Sequence, residues 1–210
     1  MKKNIILVES LKKNQKFYVS GHENKTYVIF ITDGQNCEGD INIILNGEDT
    51  RIQILGIILG YGRQKINLYT LQDHLKERSI SDLFIKSVLF HESKFKYRGL
   101  IKIEKYAQKS NAYQKNQNLL MSQKSWADTR PELEILANDV RCTHGATVGK
   151  IDENQLYYLQ TRGLNKIEAS RMLVNGFLRE VIERIPDQKV IDELSRMIEE
   201  KIERLTKGIN

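Results

Sequence analysis

The chain has 210 residues, a formal net charge of +6 and 40% hydrophobic residues. That balance argues against global disorder and permits one domain or two small ones, while no run approaches the ~20 apolar residues of a membrane span. Two cysteines, Cys37 and Cys142, exclude a disulfide framework, and the apolar run after Met1-Lys-Lys is too short for a secretory signal, so a reduced, cytoplasmic setting is expected.

In chain order, residues 1–150 read as short β-prone runs: 4–8, 16–19, 26–31, 40–45, 51–59, 65–71, 83–90, 94–104, 118–122, 132–136 and 139–142. Turn signals separate them at Thr32-Asp33-Gly34, Asn46-Gly47-Glu48, Gly60-Tyr61-Gly62 and Thr129-Arg130-Pro131. Many short strands at this spacing predict a sandwich, a barrel or a β-solenoid. The run Ile52-Gln-Ile-Leu-Gly-Ile-Ile-Leu59 is apolar on both parities. Such a strand is expected to be covered on both faces.

From residue 151 to 210 the period becomes helical. Asp152-Glu-Asn-Gln155 predicts a capping box that opens a helix over 153–161, stopped at Gly163. Asn165-Lys-Ile-Glu168 predicts a second box. Its helix runs to Pro186 with Ala169, Met172, Leu173, Gly176, Phe177, Val181 and Ile185 on one stripe. A third helix over 189–205 carries Ile191, Leu194, Ile198 and Leu205 on one face. The expected organisation is therefore a β core over 1–150 and a helical subdomain over 151–210 that must pack on something.

The densest chemistry is Asp139-Val-Arg-Cys-Thr-His-Gly-Ala-Thr147. If 139–144 is a strand, Cys142 and His144 share a face. Thiolate and imidazole suit iron, zinc or iron–sulfur clusters. Two donors make at most half a closed site, so a second chain would have to complete it. The plainer reading is a buried cysteine beside a hydrogen-bonded histidine; a Cys-His hydrolase is a third reading, without a recognisable orienting group. His22, His74 and His91 read as turn or surface histidines, Trp126 as packing at a turn, and Cys37 as a free thiol. Residues 1–150 carry a charge of +7. Their basic residues form no block and no nucleic-acid motif, so a solvated surface is the reading preferred to a nucleic-acid partner.

Asn118-Leu-Leu-Met-Ser, Pro131-Glu-Leu-Glu-Ile and Asn138-Asp-Val-Arg-Cys-Thr-His-Gly-Ala-Thr-Val-Gly resemble the C-terminal half of the SufB/SufD family, the iron–sulfur cluster assembly proteins of the SUF system. The similarity continues through 151–163 and the Asn175-Gly-Phe177 helix. It is weaker through Asp73-His74, Ser87-Val-Leu-Phe90 and Arg98-Gly-Leu-Ile101, and faint at 41–47. The resemblance implies a mainly β fold, a right-handed parallel β-helix followed by C-terminal helices. It implies a non-catalytic scaffold. Such a scaffold pairs with a SufB/SufD-type subunit through the β-helix and docks a SufC-type ABC ATPase on the helices. The cargo would be a transient iron–sulfur cluster shared with the partner subunit, with no tightly bound organic cofactor.

SufB-type chains carry His-Glu-Ala-Thr in this motif. Gly145 stands in place of that Glu, and no cysteine lies between residues 38 and 141, so the chain resembles SufD. In SufD the motif histidine faces the SufB cysteine across the interface, which makes His144, with Cys142, the candidate cluster residues and metal ligands. The N-terminal helical region common in the family has no counterpart here, and the first 60 residues match it poorly. This suggests a short form. A self-sufficient homodimer would need Cys142 or Cys37 to supply the thiolate. The rivals from other classes are a β-helix enzyme and a nucleic-acid-binding module.

Overall fold

The computed structural model describes residues 4–207 as eleven strands followed by three helices. β1 (Ile5–Val8), β3 (Asn24–Ile31), β5 (Arg51–Gly60), β7 (Ile80–Leu89), β9 (Asn111–Leu120) and β11 (Arg141–Lys150) form one sheet in that order. β2 (Gln15–Val19), β4 (Cys37–Leu45), β6 (Lys65–His74), β8 (Lys94–Ile103) and β10 (Trp126–Ile135) form the other. Each strand pairs in parallel with the equivalent strand one turn away, which makes a β-solenoid of about five turns. Side chains stack in columns along it: Tyr27, Ile54, Leu83, Gln114 and His144 are successive register partners.

The lumen changes character along its length. The first turns are filled by Tyr27, Ile29, Ile41, Ile43, Ile52 and Ile54, all buried. Farther on, Gln72, Gln114, Asn116 and Asn118 join buried apolar residues such as Leu83, Ile85, Phe95 and Tyr97 in the lumen. Buried amides must find partners. Gln72 Nε2 donates to Gln114 Oε1 at 3.3 Å, and Gln114 Nε2 donates to the Gly99 carbonyl at 3.1 Å. A Cβ at Gly99 would lie 2.5 Å from Gln114 Nε2, so this column needs glycine.

The outer face of the first sheet is as apolar as the inner one. Val28, Phe30, Leu55, Ile57, Leu59, Phe84 and Val88 project outward and are covered by α2 (Lys166–Ile182) and α3 (Gln188–Thr206). This explains the strands that are apolar on both parities. One charge lies under the helices. Lys86 of β7 donates from Nζ to the Phe177 carbonyl at 2.6 Å and to Glu180 at 2.5 Å, beneath the Phe177 ring. Burial lowers its pKa against the opposing pull of Glu180. The outer face of the second sheet carries charged pairs such as Arg98 with Glu132, 2.8 Å apart, as a solvated surface does.

Four local expectations change. Thr129-Arg130-Pro131 is no turn; it lies inside β10. Proline is tolerated there because β10 is an edge strand, and Trp126 opens that strand, part-exposed. At α1 (Glu153–Thr161), Asp152 accepts from the amides of Asn154 and Gln155, and the reciprocal bond from Gln155 is not among those the structure records. The box at Asn165 and Glu168 forms in both directions, each bond 2.9 Å. The stripe of α2 is rotated: Val174, Leu178, Val181 and Ile182 are buried, whereas Met172 and Gly176 face out.

His74 is the fourth change. It is fully buried in β6, not at a surface. Nδ1 lies 2.7 Å from Ser79 Oγ and Nε2 lies 2.8 Å from Ser81 Oγ. With a serine hydroxyl beside each ring nitrogen, the neutral ring is satisfied in either tautomer. Burial pushes the ring pKa down from 6.5 to about 4. The neutral ring belongs to the folded state, so its stabilisation is complete above the unfolded value and is lost as pH falls from 6.5 toward 4. The full effect is about 3 kcal/mol. Urea unfolding of wild type and His74→Gln should show the gap between them shrinking by about 2 kcal/mol from pH 7 to pH 4.5. A constant gap would mean that His74 does not titrate on unfolding.

Candidate functional site at the open end of the solenoid

β10 and β11 are the last strands of their sheets. Each has ten residues and a backbone edge without a partner strand among the described residues. At the other end, β1 and β2 have only four and five residues. The inward parity of the last turn has nothing above it: Leu133, Ile135 and Val148 stay 38%, 39% and 44% exposed. A long edge with apolar side chains beside it is a pairing surface.

The motif predicted from sequence sits on this edge. β11 starts at Arg141 and runs to Lys150, longer than the predicted 139–142. Cys142 and His144 occupy alternate positions on one face, as expected, stacked over Ala112 and Gln114. They are about 7 Å apart along the strand. Cys142 is half-buried against the cluster of Ile101, Ile103, Ala107, Ala112 and Ala137, and His144 is exposed. Burial pushes the Cys142 thiol up to about 11. Cys37, in β4, is also pushed up to about 11, by burial and by Asp33. A nucleophilic cysteine needs the opposite shift, which disfavours the hydrolase reading. Among the described residues, no group of three or more His, Cys, Asp or Glu could hold a metal ion. One chain therefore offers Cys142 and His144 as two donors at an open edge.

Sequence reasoning left residues 111–117 without an element, yet β9 carries the amides that lie directly beneath the motif. The run Asn111-Ala-Tyr-Gln-Lys-Asn-Gln117 has poor strand propensity. Gln114, Lys115, Asn116, Gln117 and Asn118 are an unbroken polar run, so no apolar alternation marks the strand.

Residues 12–177 match the model of the SUF system FeS cluster assembly SufBD core domain. That match starts well before the resemblance read from motifs, and it includes most of the first 60 residues. The chain is 31% identical over 173 residues to the iron–sulfur cluster assembly protein SufD of Escherichia coli, covering 82% of this chain and 41% of that protein. It is 35% identical over 158 residues to SufD of Bacillus subtilis, covering 75% and 36%. A SufBD family protein of Synechocystis is 30% identical over 139 residues, covering 66% and 31%. The chain thus spans about two fifths or less of the length of these relatives. With the family model covering most of a solenoid whose last strand holds the motif, the chain belongs to the SufBD family of the SUF iron–sulfur cluster assembly system.

Proposed function

We propose that the chain is a non-catalytic, SufD-like scaffold subunit of a SUF-type assembly complex. The observation that carries this is the uncapped last turn, where two ten-residue strands end their sheets with apolar side chains exposed and the motif on the rim. Pairing there with a SufB/SufD-type subunit would cover Leu133, Ile135 and Val148. It would also bring a second set of donors toward Cys142 and His144. A homodimer built the same way would supply two cysteines and two histidines. The cluster is cargo, held by donors shared between subunits and passed on. A mixed thiolate and imidazole set suits release better than four thiolates.

The helices supply the second surface. A groove of about 840 Å³ runs between α2 and α3, lined by Met172, Gly176, Arg179, Ile191 and Ser195 among others. The outward stripe of α2 that does not serve the core faces into it, and this is the proposed seat of a SufC-type ABC ATPase. Among the described residues, no helix is long and apolar enough to cross a membrane. The bacterial relatives and the two unpaired cysteines favour a cytoplasmic complex.

The test is anaerobic reconstitution with ferrous iron and sulfide, in the presence of a SufB-type subunit and a SufC-type ATPase. Visible charge-transfer absorption and activation of an apo-acceptor are expected. His144→Ala should lower both severalfold. Because His144 is exposed, the change should alter stability by less than about 0.5 kcal/mol. Wild-type chain that neither joins these partners nor improves cluster yield would overturn the scaffold reading.

A further inference from the structure

The last turn is the least covered part of the solenoid, yet it carries Cys142 and His144. A buried network in the lumen holds it from below. Asn118 is 3% exposed and Asn116 is 1% exposed. Asn118 Nδ2 donates to Asn116 Oδ1 at 2.7 Å and to the Thr147 carbonyl of β11 at 3.0 Å. Asn118 Oδ1 accepts from Ser87 Oγ of β7 at 2.7 Å. Asn116 Oδ1 also accepts from Thr129 Oγ1 of β10 at 2.8 Å. Both edge strands are thus tied to one pair of amides: Thr129 brings in β10, and the Thr147 carbonyl brings in β11.

The column shows why amides stand here. Its successive residues are Ile31, Ile58, Ser87, Asn118 and Val148. Ile31 and Ile58 fill the early turns by apolar packing, which needs contact on every side. Asn118 has Ser87 below it and Val148 above it, and it is the last turn, to which Val148 belongs, that lacks packing on its far side. A hydrogen bond in a buried, low-dielectric setting needs only its partner, and it fixes direction as well as distance.

We propose that Asn118, acting with Asn116, Ser87 and Thr129, is a positioning residue for the edge that carries Cys142 and His144. It fixes the pose of β11 so that the two donors face a partner subunit in a defined geometry. The inference rests on the assignment of that edge as the cluster site.

The two cysteines provide a test with an internal control. Both are half-buried, but Cys37 lies in β4, several turns from the last one. Asn118→Leu keeps the branched shape with somewhat more bulk and removes three hydrogen bonds. Labelling of the full chain with a soluble maleimide should accelerate at Cys142 by about tenfold, with Cys37 changed by less than about twofold, because only the last turn opens. Equal acceleration at both cysteines, or none at Cys142, would overturn the proposal. Cluster yield after reconstitution with ferrous iron and sulfide should fall severalfold although both donors remain. An unchanged yield beside faster Cys142 labelling would also overturn it. His144→Ala, run in parallel, keeps the two ideas apart: if it leaves the yield unchanged, the assignment of the edge fails whatever Asn118→Leu does to labelling. Should Asn118→Leu not fold, Thr129→Val removes a single bond, and about threefold faster labelling confined to Cys142 is expected; its absence would overturn the proposal.

Discussion

A chain ended at Gly163 should aggregate instead of yielding a free solenoid. The truncation removes α2 and α3 and uncovers Val28, Phe30, Leu55, Ile57, Leu59, Phe84 and Val88 on one sheet face. Each such side chain gains about 1.5–3 kcal/mol from burial, so the loss is as large as the whole stability of an ordinary domain. A contiguous apolar face of this size does not persist in water as a monomer. Lys86 would lose Glu180 and the Phe177 carbonyl as well, but an exposed lysine is readily hydrated, so its release offsets little. Light scattering and dye binding after refolding should report large particles with exposed apolar surface. A monomer with native β circular dichroism would show that the helices are an accessory and not the cover of the sheet.

Gly47→Ala should cost about 3 kcal/mol or more, far above an ordinary glycine replacement. The cause is a stack of two turns. A Cβ at Gly47 would overlap the backbone nitrogen and Cα of Gly21 in the turn below, and Ser20 C at 2.5 Å. Backbone cannot rotate aside as a side chain can. Gly176→Ala is the matching control, since a Cβ there meets nothing within 4 Å. Inside an exposed helix that change should stabilise the fold by about 1 kcal/mol. If the docking groove is real, the same change should weaken the ATPase partner. Thermal unfolding of both variants would check the contrast; equal effects would mean that the turn relaxes.

Much of this fold is legible in the sequence because burial on two faces leaves a two-parity apolar run, and β5 is such a run. The helices are legible through Asp152, Asn165 and Gly163, whose cap chemistry is local. Several of the illegible parts depend on contacts some thirty residues distant. Gln114 and Asn116 look like loop residues until the lumen above and below them is known. Pro131 looks like a turn until β10 is seen to be an edge. The stripe of α2 was misjudged because Met172 and Phe177 are as apolar as the residues that are buried. His74 read as a surface group because its serine partners, five and seven residues on, are reached only across the turn that leads into β7. For the candidate site, the alternation of Cys142 and His144 was readable; the openness of their edge was not, since nothing in a single strand reveals that no further turn covers it.

The placement of the helices also bears on how the molecule comes apart. In a plain solenoid every repeat touches only its neighbours, and unfolding can unzip from either end. Here α2 and α3 return across β3, β5 and β7, and one apolar cluster joins Val28 to Ile198. That strap closes a one-dimensional stack into a loop. The turns beneath it can melt only together, with the strap peeled away in the same step, whereas the last turn contributes no residue to that cluster. The same closure makes distant contacts a condition of folding, so the early turns gain their full cooperativity only after the whole chain has been made.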